Sequence, residues 1–259
     1  MVLAVVSVSL LAVAAWEFWR PRRRQGFAAW RRRSGNLALW PLNLLVASVL
    51  ARPEAPRAWL QAVLGTPLPA WPIADLGSSI LIGFLLLDVV LYGVHRCEHR
   101  VALLWRFHAL HHSDPDLDLT TALRHHPVEF LLFSTIYWLA ALLLAVPAPV
   151  TLIHGLAVFA TAAVQHGNIR LPKQLERGLQ PLVMTTDLHR LHHSLRRDQA
   201  DANYGAVLSL WDRLFGTYTA IAAEDIAFGV RDLPAPECLR PLTMLLTPWL
   251  IGRARAGYN

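Results

Sequence analysis

Five apolar runs punctuate the chain, at residues 2–16, 37–51, 76–94, 130–146 and 150–165. Each predicts a hydrophobic helix, and a full membrane crossing takes about 20 such residues. The third run is long enough, and it carries one acid, Asp88. The first two are short: Trp19 and Trp40 extend them to the interfaces, or one of them is re-entrant. The last two runs are separated by Pro147-Ala148-Pro149, a sequence that predicts a tight hairpin. From His166 onward the pattern becomes amphipathic rather than spanning. Residues 239–251 are apolar again but hold Pro241 and Pro248, which favours an interfacial helix or surface segment over a span.

Composition supports a membrane protein. The chain of 259 residues is 54% hydrophobic and 16% charged, against about 25% charged in soluble domains. Net charge is +6, mostly from arginine. Arg20, Arg22, Arg23, Arg24, Arg31, Arg32 and Arg33 lie between the first two runs. Membrane topology explains that placement better than nucleic-acid binding, because hydrophobic runs flank the cluster on both sides. The arginine loop is therefore expected in the cytosol. Residues 52–74, rich in proline and poor in cations, then read as a non-cytosolic loop. The third run returns to the cytosol just before His95, and the hairpin brings His166 back to the same side. The two cysteines, Cys97 and Cys238, match no metal or redox spacing and are expected as reduced thiols.

Seven of the 12 histidines fall within residues 91–129. They form H-x-x-x-H (His95, His99) and H-x-x-H-H (His108, His111, His112). A second H-x-x-H-H follows at His189, His192 and His193. Residues three and four apart share a helix face, so each cluster can aim several imidazoles at one metal. Adjacent histidines differ by about 100° around the axis, so His111 and His112 are expected to serve two different metals. Imidazole alone does not name the metal. A pH sensor or an exposed histidine patch would not need three such clusters. Asp88, Tyr92, His95 and His99 fall on one stripe, where Asp88 or Tyr92 either orients a histidine ring or makes a helix-packing contact. His154, deep in an apolar run, reads as a hydrogen-bonded packing residue.

Taken together, His95-Arg-x-x-His99, Leu104-Trp-x-Phe-His108-x-x-His111-His112-Ser113 and Arg124-x-His126-Pro127-x-Glu129 resemble the fatty acid hydroxylase/sterol desaturase superfamily of membrane di-iron enzymes. So do His166-Gly-Asn168, His189-Arg-x-His192-His193-Ser194, Asn203-Tyr204-Gly205 and the run from Trp211 to Tyr218. The resemblance implies an all-α integral membrane domain with a cytosolic, histidine-rich metal-binding cap. The ligands it implies are His95, His99, His108, His111, His112, His166, His189, His192 and His193. His126 would be a further ligand or a support for one, and Glu129 and Asn168 would be outer-shell or structural. His125, at a variable place, is expected at the surface. The Trp211–Tyr218 run is expected to be packing that closes the cap.

The expected organisation is residues 1–77 as N-terminal membrane segments and basic loop, 78–220 as the di-iron domain and 221–259 as a tail. The expected function is O2-dependent hydroxylation or desaturation of a lipid C–H bond at two irons. Sterol, fatty acyl chain, sphingolipid, ether lipid and carotenoid all remain open as substrates. The 259 residues contain no C-x-x-C-H, G-x-G-x-x-G or cysteine cluster. Electrons are therefore expected from a separate reductase with a ferredoxin or cytochrome-type carrier, and no nucleic-acid partner is expected. The competing reading is a non-redox metalloprotein such as a zinc hydrolase. H-R-C-E-H differs from the zinc-protease H-E-x-x-H, because its acid falls one residue before the second histidine.

Overall fold

The computed structural model describes residues 2–26, 29–50, 61–63, 65, 70–220, 226–231, 233 and 240–251. Most of the proline-rich segment 52–74 and Cys238 lie outside them. The described residues are helical and contain no β-sheet, only the isolated bridges Val183–Leu208 and Ser194–Phe228.

In order, the helices are α1 (Val2–Trp19), α2 (Ala29–Leu50), α3 (Leu76–Arg100), α4 (Ala102–His112), α5 (Pro127–Leu143) and α6 (Ala148–His166). Short ones follow: α7 (Lys173–Leu179), α8 (Thr186–His192), α9 (Arg197–Ala200), α10 (Leu210–Leu214), α11 (Pro241–Leu245) and α12 (Thr247–Ile251). Helices α3 and α6 are long and apolar enough to cross a membrane; α5 and residues 6–19 of α1 are shorter apolar helices. Most of the apolar windows of α3 and α6 are unburied. Leu81, Ile82, Leu152 and Ile153 face outward. A soluble core helix would bury such residues, so these faces mark a membrane protein.

Local chemistry sets the helix ends. Asp75 caps α3 by accepting from the Ser78 amide at 2.8 Å. Val101 is extended and breaks the chain between α3 and α4. At α5, the His126 Nδ1 accepts from the Val128 amide at 3.1 Å, and Glu129 accepts from the His126 amide at 3.2 Å. The H-P-x-E motif is thus a capping box with proline at the first helical position. Helices α3, α5 and α6 enclose a core of Leu87, Leu91, Tyr137, Ala141, Val146 and Val150. Gly83 permits the close approach of α3 to α6, since a Cβ there would meet Val150 Cγ1 at 2.8 Å.

One feature differs from the sequence reading. Helix α2 starts at Ala29, so Arg31, Arg32 and Arg33 belong to its first turns rather than to a loop, and Pro41 lies inside it. Arg32 is buried: it donates to Asp114 at 3.0 and 3.1 Å, to the Asp116 carbonyl at 3.0 Å, and pairs with Asp118. The chain just after His112 supplies two buried acids that need a cation, and α2 provides it. The C-terminal segment forms two short helices rather than a span. Met244 packs with Leu39 and Leu110, and Ile251 packs with Ala109. Only one side of α11 and α12 is left outside, where Leu242 and Trp249 are exposed.

Candidate metal centre

Four elements bring the histidines together. Helix α3 carries His95 and His99; α4 carries His108, His111 and His112; α6 ends on His166; and α8 carries His189 and His192, with His193 just past its end. The nine separate into two groups, each with its nitrogens within 4.8 Å of one another. The first is His95, His99, His108, His112 and His192; the second is His111, His166, His189 and His193. Each adjacent pair is divided between the groups, as the 100° offset requires. The groups adjoin, with the His112 and His193 rings stacked at 4.3 Å.

Nε2 atoms converge within each group. In the second, His166 lies 3.0 Å from His111 and 2.8 Å from His189, which lies 3.1 Å from His193. In the first, His108 and His112 are 3.1 Å apart. Imidazole binds transition metals at about 2.0–2.1 Å, so two ligands at right angles on one ion are separated by about 3 Å. The buried Nε2 atoms of His95 and His192 have no hydrogen-bond partner.

On four of the rings the opposite nitrogen is held. Nδ1 of His95 donates to the Tyr204 carbonyl at 2.9 Å, that of His192 to Ala202 at 2.7 Å and that of His166 to Ala162 at 2.8 Å. His108 Nδ1 donates to Glu129 at 2.8 Å. Such bonds fix the tautomer and direct the other nitrogen inward. Burial, then neighbouring imidazoles, hold His111, His112, His189 and His193 well below the usual histidine range. Burial brings His192 down to about 3. These rings are neutral in the fold, the state a metal requires. The donor set therefore fits two metal ions. An open cavity of about 380 Å³ reaches His99 and His112 past Trp105, Arg196, Arg197, Asp201 and Arg231.

Residues 80–217 match the protein-family model described as fatty acid hydroxylase. The chain belongs to this family. An ornithine lipid hydroxylase of Rhizobium tropici is 34% identical over 149 residues, 57% of this chain and 43% of that protein. Alkylglycerol monooxygenase of Homo sapiens is 31% identical over 153 residues, 57% of this chain and 32% of the relative. A very-long-chain aldehyde decarbonylase of Oryza sativa subsp. japonica is 29% identical over 168 residues, 62% of this chain and 64% of the relative. The match thus spans less than half the length of the first two. No solved structure matches the chain.

Within the fatty acid hydroxylase region, the remaining expected residues take other places. His126 stays out of both groups: its nitrogens face the Val128 amide and, at 3.2 Å, the Leu245 carbonyl. Asp88 accepts from the Val207 and Leu208 amides, each at 3.1 Å, and from Trp211 Nε1 at 2.8 Å. The histidine beside it is His154 at 3.4 Å, whose Nδ1 lies 3.1 Å from the Tyr137 hydroxyl. Tyr92 bonds Thr217 at 2.9 Å. Asn168 ties the chain to the N-terminal region through Arg23 and Glu17.

Two residues were not anticipated at the site. His125 is not a free surface residue: it stacks on His111 at 4.4 Å and donates to Glu129 at 2.9 Å. Its i,i+4 spacing to Glu129 was the available signal. Glu98 is buried with Oε2 3.5 Å from His108 Nδ1. Glu98, His108 and Glu129 form a third set of converging donor atoms.

Proposed function

We propose that this chain is a membrane-bound oxygenase that hydroxylates a C–H bond of a lipid, using O2 and two irons held by the nine histidines. The observation that carries the reading is the division of those imidazoles into two adjoining groups of converging Nε2 atoms. The names of two relatives, a lipid hydroxylase and a monooxygenase, favour oxygen insertion over desaturation. Two irons, when bound, supply the oxidation of an unactivated C–H bond that side-chain acids and bases do not perform. His95, His99, His108, His112 and His192 would hold one; His111, His166, His189 and His193 would hold the other.

The chain's own residues supply orientation and shielding. The Tyr204, Ala202 and Ala162 carbonyls and Glu129 fix four of the rings. Burial keeps the donor atoms dry. Because α3 and α6 carry ligands at or near their ends, a lipid chain in the bilayer lies close to both groups. Electrons come from a separate donor, a reductase with a ferredoxin or cytochrome-type carrier. The site faces the cytosol in this reading: exposed Ser34 and Asp198, replaced in turn by cysteine, should both resist an impermeant reagent in intact cells.

The deciding experiment measures metal content and O2 consumption on purified chain, and lipid products in cells with and without it. Two irons per chain, donor-dependent O2 uptake and a hydroxylated lipid are expected. Hydrolysis products, or turnover without any electron donor, would replace the oxygenase with a metal-dependent hydrolase.

A further inference from the structure

We infer that the segment 204–218, although it follows the last histidines, dips back into the bilayer and presents Leu210, Leu214 and Phe215 to acyl chains. The inference adds a lipid-contact surface to the membrane reading of α3 and α6 and is independent of the reaction proposed above.

Depth is set by Asp88. It lies 12 residues beyond Leu76 in α3, about 18 Å along the helix at 1.5 Å per residue. It sits well inside an apolar helix that spans about 30 Å of hydrocarbon. Its carboxylate accepts from the Val207 and Leu208 amides and from Trp211 Nε1. The second spanning helix agrees. His154, 3.4 Å from Asp88, is 12 residues before His166 at the end of α6. Ala206 packs against the core of Leu87, Leu91, Tyr137 and Val150. The segment therefore stands beside the apolar parts of both helices, below the histidine groups.

Irregular backbone at such depth depends on protein groups to satisfy its polar atoms, and buried side chains take several of them here. Asp88 takes two amides. Asp212 takes the Tyr204 amide at 2.7 Å and the Gly205 amide at 2.9 Å, and its carbonyl takes the Thr217 and Tyr218 amides. Gln165 Nε2 donates to the Ala206 carbonyl at 2.7 Å. Gly205 is required for this tight path, because a Cβ would meet the Leu208 carbonyl oxygen at 2.3 Å.

With its polar groups turned inward, the segment leaves an apolar outer side. Leu210 and Leu214 share one face of α10 at i,i+4, and Phe215 follows. All three are exposed, and Phe215 covers the buried Tyr92 of α3, its ring stacked on it at 5.3 Å. Arg213, on another face, lies 3.8 Å over the Tyr218 ring and marks the headgroup edge.

The test is spin-label depth measurement on the full chain in phosphatidylcholine vesicles, with Cys97 and Cys238 replaced by serine. Labels are placed at Leu210→Cys and Leu214→Cys, with Leu81→Cys on α3 as the lipid control and Asp198→Cys as the aqueous control. Labels at 210 and 214 should collide with O2 several-fold more than with a water-soluble nickel chelate, as at 81, with the reverse at 198. Aqueous behaviour at 210 and 214 with lipid behaviour at 81 overturns this inference alone. Aqueous behaviour at 81 as well overturns the membrane reading of α3 with it. Should a label disturb folding, carbene photolabelling of the unmodified chain by a hydrophobic reagent, mapped by peptide, decides. Peptide 204–218 should label like α3, and labelling as low as that of 195–201 refutes the placement.

Discussion

Replacing Glu129 by glutamine tests whether outer contacts govern the metal groups. The Glu129 carboxylate accepts from His108 at 2.8 Å, from His125 at 2.9 Å and from the His126 amide at 3.2 Å. Hydrogen bonds to a charged group contribute about 1.5–3 kcal/mol and neutral ones about 0.5–1.5. The change therefore removes roughly 1–1.5 kcal/mol from each imidazole bond, about 2–3 kcal/mol together. That corresponds to roughly 30- to 150-fold in affinity, which overlaps the 10- to 100-fold commonly lost with such supports. His108 belongs to the first group, so that group should lose metal first. The amide oxygen cannot serve both the imidazoles and the His126 amide, so the cap of α5 should also weaken by about 1 kcal/mol. Metal analysis during chelator titration reads the first effect and thermal unfolding the second. Wild-type retention of both metals by a folded Glu129→Gln protein would refute the argument.

His125→Ala should weaken metal retention measurably, because the ring stacks on His111 and bonds Glu129; a wild-type chelator profile would return His125 to the role of a bystander. Arg32→Ala leaves Asp114 buried without its cation, while Asp118 keeps Arg33, and should destabilise by about 3–5 kcal/mol; a midpoint shift worth under about 1 kcal/mol in denaturant would contradict that. The metal-free chain should be acid-labile. His111, His112, His189 and His193 have lowered values in the fold, so at falling pH the unfolded chain takes up protons first, below its ordinary value of about 6.5. Each then costs about 1.4 kcal/mol per pH unit until its folded value is reached. Unfolding midpoints that stay flat from pH 7 to 5 would show these rings to be ordinary.

The spacing of the histidines determined the central feature of the site. Positions three and four apart lie on one face whatever the surroundings, and adjacent positions diverge, so the division of His111 from His112 follows from helix geometry alone. The apolar runs likewise dictated where α3, α5 and α6 form, since hydrophobic periodicity and length are local properties. Partner choice across the fold was decided only by tertiary structure. Arg32 looks in sequence like one more cytosolic cation, and becomes a buried counterion because the segment after His112 folds against α2. His125 has no motif of its own and gains its role from the proximity of His111. Asp88 shares a helical stripe with His95, yet its carboxylate is taken by amides more than 100 residues away. Those pairings join segments distant in the chain, where burial of charge and unsatisfied backbone groups selects the partner, and no local periodicity encodes that selection.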